Sequence, residues 1–334
     1  MRVLVTGGAG FIGSALVDRL IAEGCDVDAI DDLSTGSLAN LAGARATRNR
    51  KFSFHRLDVG APQLTELVTR RRPEVIFHLA AQLDVRVSVA KPMFDAQVNI
   101  LGSLNVCEAA LAGATRKVVF AGSGGTLYGI PESLPVRESH PQRPVSPYGV
   151  AKKAAGDYLH YYREVHGLEY TELALANVYG RRQDPNGEAG VVAIFAGQLL
   201  AGRQSTIYGD GKQTRDYLYV DDAVDAFVRA ADRGGGLLMN IGTGIETSVV
   251  DLYEKMAALV GGRRAGPSFA PERPGELARS ALDSGRAAIH LGWKPWTTLD
   301  EGLALTLDWF RGASSTGHSA PGSRPPASEP PLRS

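Results

Sequence analysis

The sequence predicts an α/β protein built on a doubly wound parallel sheet, and three observations lead there. Short apolar runs alternate with longer stretches of helical composition, a glycine-rich turn follows the first run, and an acid closes the second. The expected strands are residues 3–5, 27–30, 52–57, 75–79, 118–121 and 171–175. Helical stretches fall between and after them, notably 11–23, 94–111 and 147–166. For the last of these the ends are written in the sequence. Ser146 is a good N-cap, Pro147 suits the first helical position, and Gly167 suits the C-cap.

After Asn177 the rhythm breaks into a turn-rich stretch, 179–187, followed by scattered elements. This predicts a smaller, mixed α/β substrate-binding region over the carboxyl edge of the sheet. The expected division is 1–176, with contributions from about 217–240, for the sheet domain, and 177–216 with 241–312 for the smaller region. Residues 313–334 are rich in Pro, Ser and Gly and poor in apolar side chains, so a disordered tail is expected.

Composition narrows the partners. The 334 residues are 44% hydrophobic and 22% charged, and Lys+Arg and Asp+Glu both total 36. No net field gathers nucleic acid or an anionic membrane, so neither is expected as a partner, and an anionic ligand must be met locally. Cys25 and Cys107 are too few and too far apart for a metal pair or a disulfide framework, which fits a reducing compartment. A strand at the first residues leaves no room for a secretory leader, and no apolar run approaches the roughly 20 residues that span a bilayer. A cytoplasmic location is expected, and no metal site.

Directly after the first strand, Gly7-Gly8-Ala9-Gly10-Phe11-Ile12-Gly13 satisfies both GxxGxxG and GxGxxG spacing. Between a strand and an amphipathic helix, such glycines permit a tight turn and bring backbone amides to a pyrophosphate, the Rossmann-type arrangement. The bland alternative is a plain glycine-rich turn. Asp31 stands 18 residues beyond Gly13, near the position of a ribose-binding acid. A carboxylate there accepts from a 2′-hydroxyl and repels a 2′-phosphate, which favours NAD over NADP. Asp32 is its neighbour and can instead be a cap or turn residue.

Tyr148 and Lys152 are four residues apart and share one helix face. A nearby ammonium favours the phenolate, so Lys152 is expected to pull Tyr148 down from about 10 toward the working pH as a catalytic base. On its own the pair is common helix chemistry.

Together TGGAGFIG, Asp31-Asp32-Leu33-Ser34, Leu57-Asp58-Val59, His78-Leu79-Ala80-Ala81-Gln82, Tyr148-x-x-x-Lys152 and Asn177-Val178-Tyr179-Gly180 resemble the extended short-chain dehydrogenase/reductase family, from residue 1 to about 312. The resemblance implies that Gly7, Gly10, Phe11, Ile12 and Gly13, with Asp31, Asp32 and Ser34, hold NAD. It further implies that Asp58 and Val59 flank the adenine, that Leu79, Ala80, Ala81, Gln82 and Asn99 line the cofactor, and that Lys152 also holds the nicotinamide ribose. Read from sequence alone, Asn99 can equally be a capping or surface amide.

Members of this family act mostly on nucleotide-diphosphate sugars. Segments at 184–192, 208–217 and 273–276 resemble those that grip the nucleotide, which implies substrate roles for Asn177, Val191, Val192, Tyr208, Arg215, Arg273 and Glu276. The forked guanidinium donors of Arg215 and Arg273 suit a pyrophosphate. In the loop 120–129, related enzymes keep a hydroxyl on the sugar's reacting 4-oxygen; Ser123 is expected there, with Thr126 the runner-up. Ser280 is implied to lie near the sugar's 2-substituent, where a small residue leaves room for an N-acetyl group.

A 4,6-dehydration needs an acid and a base beside the loop hydroxyl, and here the neighbours are Gly124 and Gly125, which can move no proton. Oxidation followed by re-reduction remains. The resemblance therefore implies NAD-dependent 4-epimerisation of a UDP-hexose by Tyr148, Ser123 and Lys152, through a transient 4-keto sugar. The alternatives are epimerisation of UDP-glucuronic acid or another nucleotide sugar, dehydration, and a catalytically silent NAD-binding regulator. Family likeness also implies a homodimer through the helices at 94–111 and 147–166.

Overall fold

The computed structural model describes residues 1–47, 51–185, 190–262, 266–273 and 277–315. Glu276 and the expected tail from 316 onward lie outside the described residues.

Six strands appear where the apolar runs stood: β1 (Arg2–Thr6), β2 (Asp26–Asp31), β3 (Phe52–Arg56), β4 (Val75–His78), β5 (Lys117–Ser123) and β6 (Glu169–Leu175). A seventh, Leu237–Ile241, returns from the later chain to pair with β6. The order across the sheet is Leu237–Ile241, β6, β5, β4, β1, β2, β3, and every pairing is parallel. The order runs outward in both directions from β1 and β4. That places the ends of β1 and β4 at a switch point, the crevice where open α/β sheets take ligands.

Alternate side chains explain the layering. In β1, Val3 and Val5 join one apolar cluster and Leu4 joins the other, and all three are fully buried. Both faces of the sheet are therefore covered, as parallel sheets require. Helix α1 (Phe11–Ala22) buries Leu16, Val17 and Leu20 and packs beside the helix Val220–Ala230, with Arg19 3.3 Å from Asp225.

The helix Pro147–His166 begins and ends as its sequence predicts. The Ser146 hydroxyl accepts from Gly149 N at 3.1 Å, and Gly167 closes the helix at φ 72°. The helix expected at 94–111 differs. It is built of Pro92–Ala96, a π-helical stretch Gln97–Leu101, and Gly102–Ala112. The wider turn carries Asn99, which is buried.

Past β6 the chain forms short two-stranded pieces: Asn177–Tyr179 with Tyr217–Tyr219, Thr206–Tyr208 with Ser268–Ala270, and Thr214–Arg215 with Thr247–Ser248. Buried Asp216 ties this region to the sheet's end, accepting from Thr243 N, Gly244 N and Leu282 N at 2.9–3.1 Å.

Candidate active site

The turn after β1 is shaped by its glycines. Gly7 sits at φ 66°, and a Cβ there would come within 2.8 Å of Ala80 N. A Cβ on Gly13 would collide with the carbonyl oxygen of Gly7. The turn is thus closed down on itself and on the segment leaving β4. Helix α1 has no side-chain cap at Gly10 and no acid in its first turn, so its amides and dipole are left for an outside anion. Phe11 and Ile12 are partly buried against the core and fix the helix start.

Asp31 faces this turn: Oδ2 accepts from Ala9 N at 3.0 Å and Oδ1 from Leu33 N at 2.8 Å. Burial raises its pKa, and the backbone donors oppose that. Asp32 is exposed and takes the turn role, accepting from the Ser34 backbone and hydroxyl at 2.8 and 2.7 Å. Between the two acids, Asp31 is the one at the glycine turn. A carboxylate has about four acceptor positions, so Asp31 keeps capacity for a diol.

Asp58 is exposed and caps its own turn through Gly60 N at 2.7 Å, while Val59 is buried under Gly102. The segment Leu79, Ala80, Ala81 and Gln82 is held from behind at two points. Thr6 Oγ1 accepts from Leu79 N and Ala80 N, at 3.2 and 3.1 Å. Asn99 exchanges hydrogen bonds with Gln82, its Oδ1 accepting from Gln82 N and its Nδ2 donating to Gln82 O, both at 2.9 Å. Asn99 is neither a cap nor a surface amide. Asp95, fully buried, accepts from the side chains of both Gln82 and Asn99.

On the other side of the switch point stand the catalytic candidates. The Ser123 hydroxyl lies close enough to the Tyr148 phenol to lower its pKa, whereas Thr126 Oγ1 donates to the Ser123 carbonyl at 3.4 Å. Ser123, not the runner-up, meets the phenol. Lys152 is buried; its ammonium donates to Ala121 O at 3.0 Å and lies 4.7 Å from the Phe120 ring centroid and 5.8 Å from that of Tyr148.

The charges differ from the sequence expectation. Burial pushes the phenol up to about 12, with Asp95 adding to the rise and Ser123 opposing it. Burial likewise brings Lys152 down to about 8, against Glu172 and Asp95. Desolvation is the largest influence on the phenol and favours its protonated form at neutral pH.

Gly124 is closed off by packing as well as lacking a side chain: a Cβ there would collide with Leu282. At Gly125 the nearest atom to a Cβ is Asn177 Oδ1, 4.0 Å away. Farther out, the Arg273 guanidinium stacks on Tyr208, 3.9 Å from the ring centroid. Arg215 donates to the carbonyls of Thr214 and Leu277, both at 2.8 Å. Ser280 is buried and Val191 half-buried. Val192 packs in the apolar core, where a helical residue on the inner face belongs. Among the described residues no group of three or more His, Cys, Asp or Glu is arranged to hold a metal.

Three residues near the site were not singled out from sequence: Asp95, Leu282 and Glu172. An acid in the middle of an expected strand was the available signal for Glu172. Leu282 left none.

A glycine cradle at one end of the crevice and a Ser, Tyr and Lys cluster at the other form the working parts of a dehydrogenase/reductase. The chain belongs to the extended short-chain dehydrogenase/reductase family, and the family model described as GDP-mannose 4,6 dehydratase matches residues 4–306. Among its relatives is the UDP-glucose 4-epimerase of Mycolicibacterium smegmatis, 51% identical over 94% of this chain and all of that protein. Two solved structures are similar as well. The UDP-glucose 4-epimerase of Thermotoga maritima with UDP-glucose has a TM-score of 0.90 at 42% identity, covering 94% of this chain and all of that one. The Thermus thermophilus UDP-glucose 4-epimerase complex with NAD has a TM-score of 0.87 at 41% identity, with the same coverage.

Proposed function

We propose that this chain is an NAD-dependent 4-epimerase of UDP-hexoses, and the observation that carries the reading is the company Tyr148 keeps. Ser123 stands beside its phenol, Lys152 lies one turn along the same helix, and the adjoining Gly124 and Gly125 provide no second acid or base. A site with one proton-transfer side chain suits reversible oxidation at a single carbon. The 51% identity to a UDP-glucose 4-epimerase, and the likeness to one complexed with NAD, support the same substrate and cofactor.

The residues fit a dinucleotide: the uncapped start of α1 and the closed glycine turn suit its pyrophosphate, and Asp31 suits a ribose diol. When bound, NAD supplies the hydride acceptor. Tyr148 takes the proton of the sugar's 4-hydroxyl at its Oη as C4 is oxidised and returns a proton when the C4 ketone is reduced on its other face. Ser123 orients both oxygens. Burial favours the protonated phenol, and the positive charge of Lys152 favours its ionisation during turnover.

Arg273 on its Tyr208 platform has no carboxylate within ion-pair reach among the described residues, which leaves it for a diphosphate. Arg215, anchored to Leu277, supports a second hold. Gripping the nucleotide firmly and the sugar lightly lets the keto sugar turn over between the two hydride transfers. We assign 1–176 and about 217–240 to the dinucleotide-binding unit and 177–216 with 241–312 to the sugar-nucleotide side.

Exposed apolar residues on the two helical segments expected to pair, Phe94, Leu101, Val150 and Val165, support a homodimer, to be read by light scattering. No helix among the described residues is long and apolar enough to cross a membrane. Cys25 and Cys107 are buried free thiols, which supports a reducing cytoplasm.

The test is to supply UDP-galactose without added NAD and look for UDP-glucose, beside UDP-N-acetylhexosamines and UDP-glucuronic acid. Conversion of UDP-galactose is expected. A 4-keto-6-deoxy product would overturn the reading of Gly124 and Gly125, and turnover of UDP-glucuronic acid alone would replace the substrate. Tyr148→Phe should retain NAD and lose turnover.

A further inference from the structure

Glu172 stands mid-strand in β6, with Phe120 of β5 and Leu238 as its partners across the sheet, and it is 6% exposed. Two glycines make room for its carboxyl group. A Cβ on Gly122 would lie 2.8 Å from Oε1, and one on Gly156 would collide with Oε2. Oε1 has no hydrogen-bond partner among the described residues. A buried carboxyl held this way costs stability, and such groups call for a role that compensates. Gly156 is four residues beyond Lys152, one turn along the same face of the helix. The carboxyl therefore lies one turn beneath the catalytic lysine, whose ammonium sits over Phe120, the strand neighbour of Glu172.

We propose that Glu172 is a positioning residue of the active site, a buried carboxyl that acts through Lys152 and keeps its ammonium charged as the pH rises. The proposal rests on the reading of Tyr148 and Lys152 given above. Other charged groups facing Glu172 are Lys153 and Asp157 from the catalytic helix, and the titratable phenols nearby are Tyr170 on its own strand and Tyr128. Lys153 and Asp157 pair with each other at 2.6 Å and largely cancel. Asp95 faces Lys152 from the opposite side.

The behaviour follows from the two groups sharing a range. Burial raises Glu172 to about 8 and lowers Lys152 to about 8. As the pH climbs through that range, the carboxyl ionises where the ammonium would otherwise lose its proton. The new negative charge holds the lysine proton in place, so the pair titrates as a unit. Without the carboxyl, Lys152 goes neutral at lower pH.

The experiment compares the wild type with Glu172→Gln, which keeps the shape and removes the charge. The pH profile of kcat for UDP-galactose is measured, and Lys152 is titrated in the protein as isolated by 13C-lysine NMR, assigned with Lys152→Arg. Glu172→Gln should move both the Lys152 titration and the alkaline fall of kcat down by about one pH unit, the order expected for a unit charge a helical turn away. At pH 9 kcat should drop about tenfold, while KM stays within about twofold. Melting temperature should change little, because the amide keeps the shape and leaves a polar atom in the same place. Superimposable lysine titrations overturn the proposal, as does a lowered melting temperature with an unshifted profile, the mark of a merely structural carboxyl. Should Glu172→Gln fail to fold, Glu172→Met fills much the same space with apolar atoms and is read identically. A wild type inactive on every UDP-sugar would sink the epimerase reading, and the lysine titration would still decide this one.

Discussion

His78 ends β4 beneath the segment Leu79 to Gln82, and its hydrogen bonds specify its protonation state. Ser103 Oγ donates to Asn99 O at 2.7 Å, so it accepts from His78 Nε2, 2.9 Å away. Thr6 Oγ1 accepts from Leu79 N and Ala80 N, which occupies both its lone pairs, and it therefore donates to His78 Nδ1 at 2.8 Å. The ring is neutral with its proton on Nε2. A second proton on Nδ1 would meet a hydroxyl with no acceptor left. Burial, with Lys152 adding its charge, takes His78 from 6.5 down to about 3.

Because the folded value is depressed, His78 contributes stability that is fully present above about pH 6.5 and lost progressively as the pH falls toward 3. At pH 4.5 the unfolded chain gains two units of protonation free energy that the folded chain does not, about 2.7 kcal/mol. Urea unfolding of the wild type and His78→Gln at pH 7.5, 5.5 and 4.5 reads this directly, since other titrating groups are common to both. The variant should be the less stable at pH 7.5, and the gap should close by about 2.7 kcal/mol at pH 4.5. A gap that stays constant with pH refutes the assigned hydrogen-bond directions and the depressed pKa together.

Other outcomes follow from the same geometry. Ser123→Ala removes the hydroxyl beside the phenol, and a hydrogen bond from it to an oxygen that gains charge during turnover is worth about 1.5–3 kcal/mol, so kcat should fall roughly 10- to 150-fold with KM little changed in steady-state assays. Gly13→Ala drives a methyl group into the Gly7 carbonyl, and calorimetry should find NAD binding lost while circular dichroism still reports a folded sheet. Arg273→Leu removes the cation from the Tyr208 ring, and the Kd for UDP should rise about tenfold or more with the Kd for NAD unchanged.

Much of this site was legible because it is local. Ser146, Pro147 and Gly167 bound the catalytic helix through contacts within a few residues, and the i, i+4 spacing alone brings Tyr148 and Lys152 to one face. The glycine turn and Asp31 were likewise readable, since a strand, a tight turn and a helix are specified over short stretches. The single helix expected at 94–111 failed in detail. A π-helical stretch has no strong sequence mark, and its consequence, burying Asn99 against Gln82, depends on a partner 17 residues away.

What the sequence alone determined was the inventory: a parallel α/β sheet, a dinucleotide turn, a Tyr and Lys on one helix face, and glycines where a dehydratase needs acids. The tertiary structure decided which of these groups meet. Ser123 rather than Thr126 reaches the phenol, Leu282 fills the space at Gly124, Val192 turns into the core, and Glu172 comes to rest beneath Lys152. It also decided the charges, raising Tyr148 where the neighbouring ammonium alone would lower it. Both outcomes have one cause. Burial and contact join residues distant in the chain, and desolvation depends on everything packed around a group, whereas spacing along a helix records only its nearest neighbours.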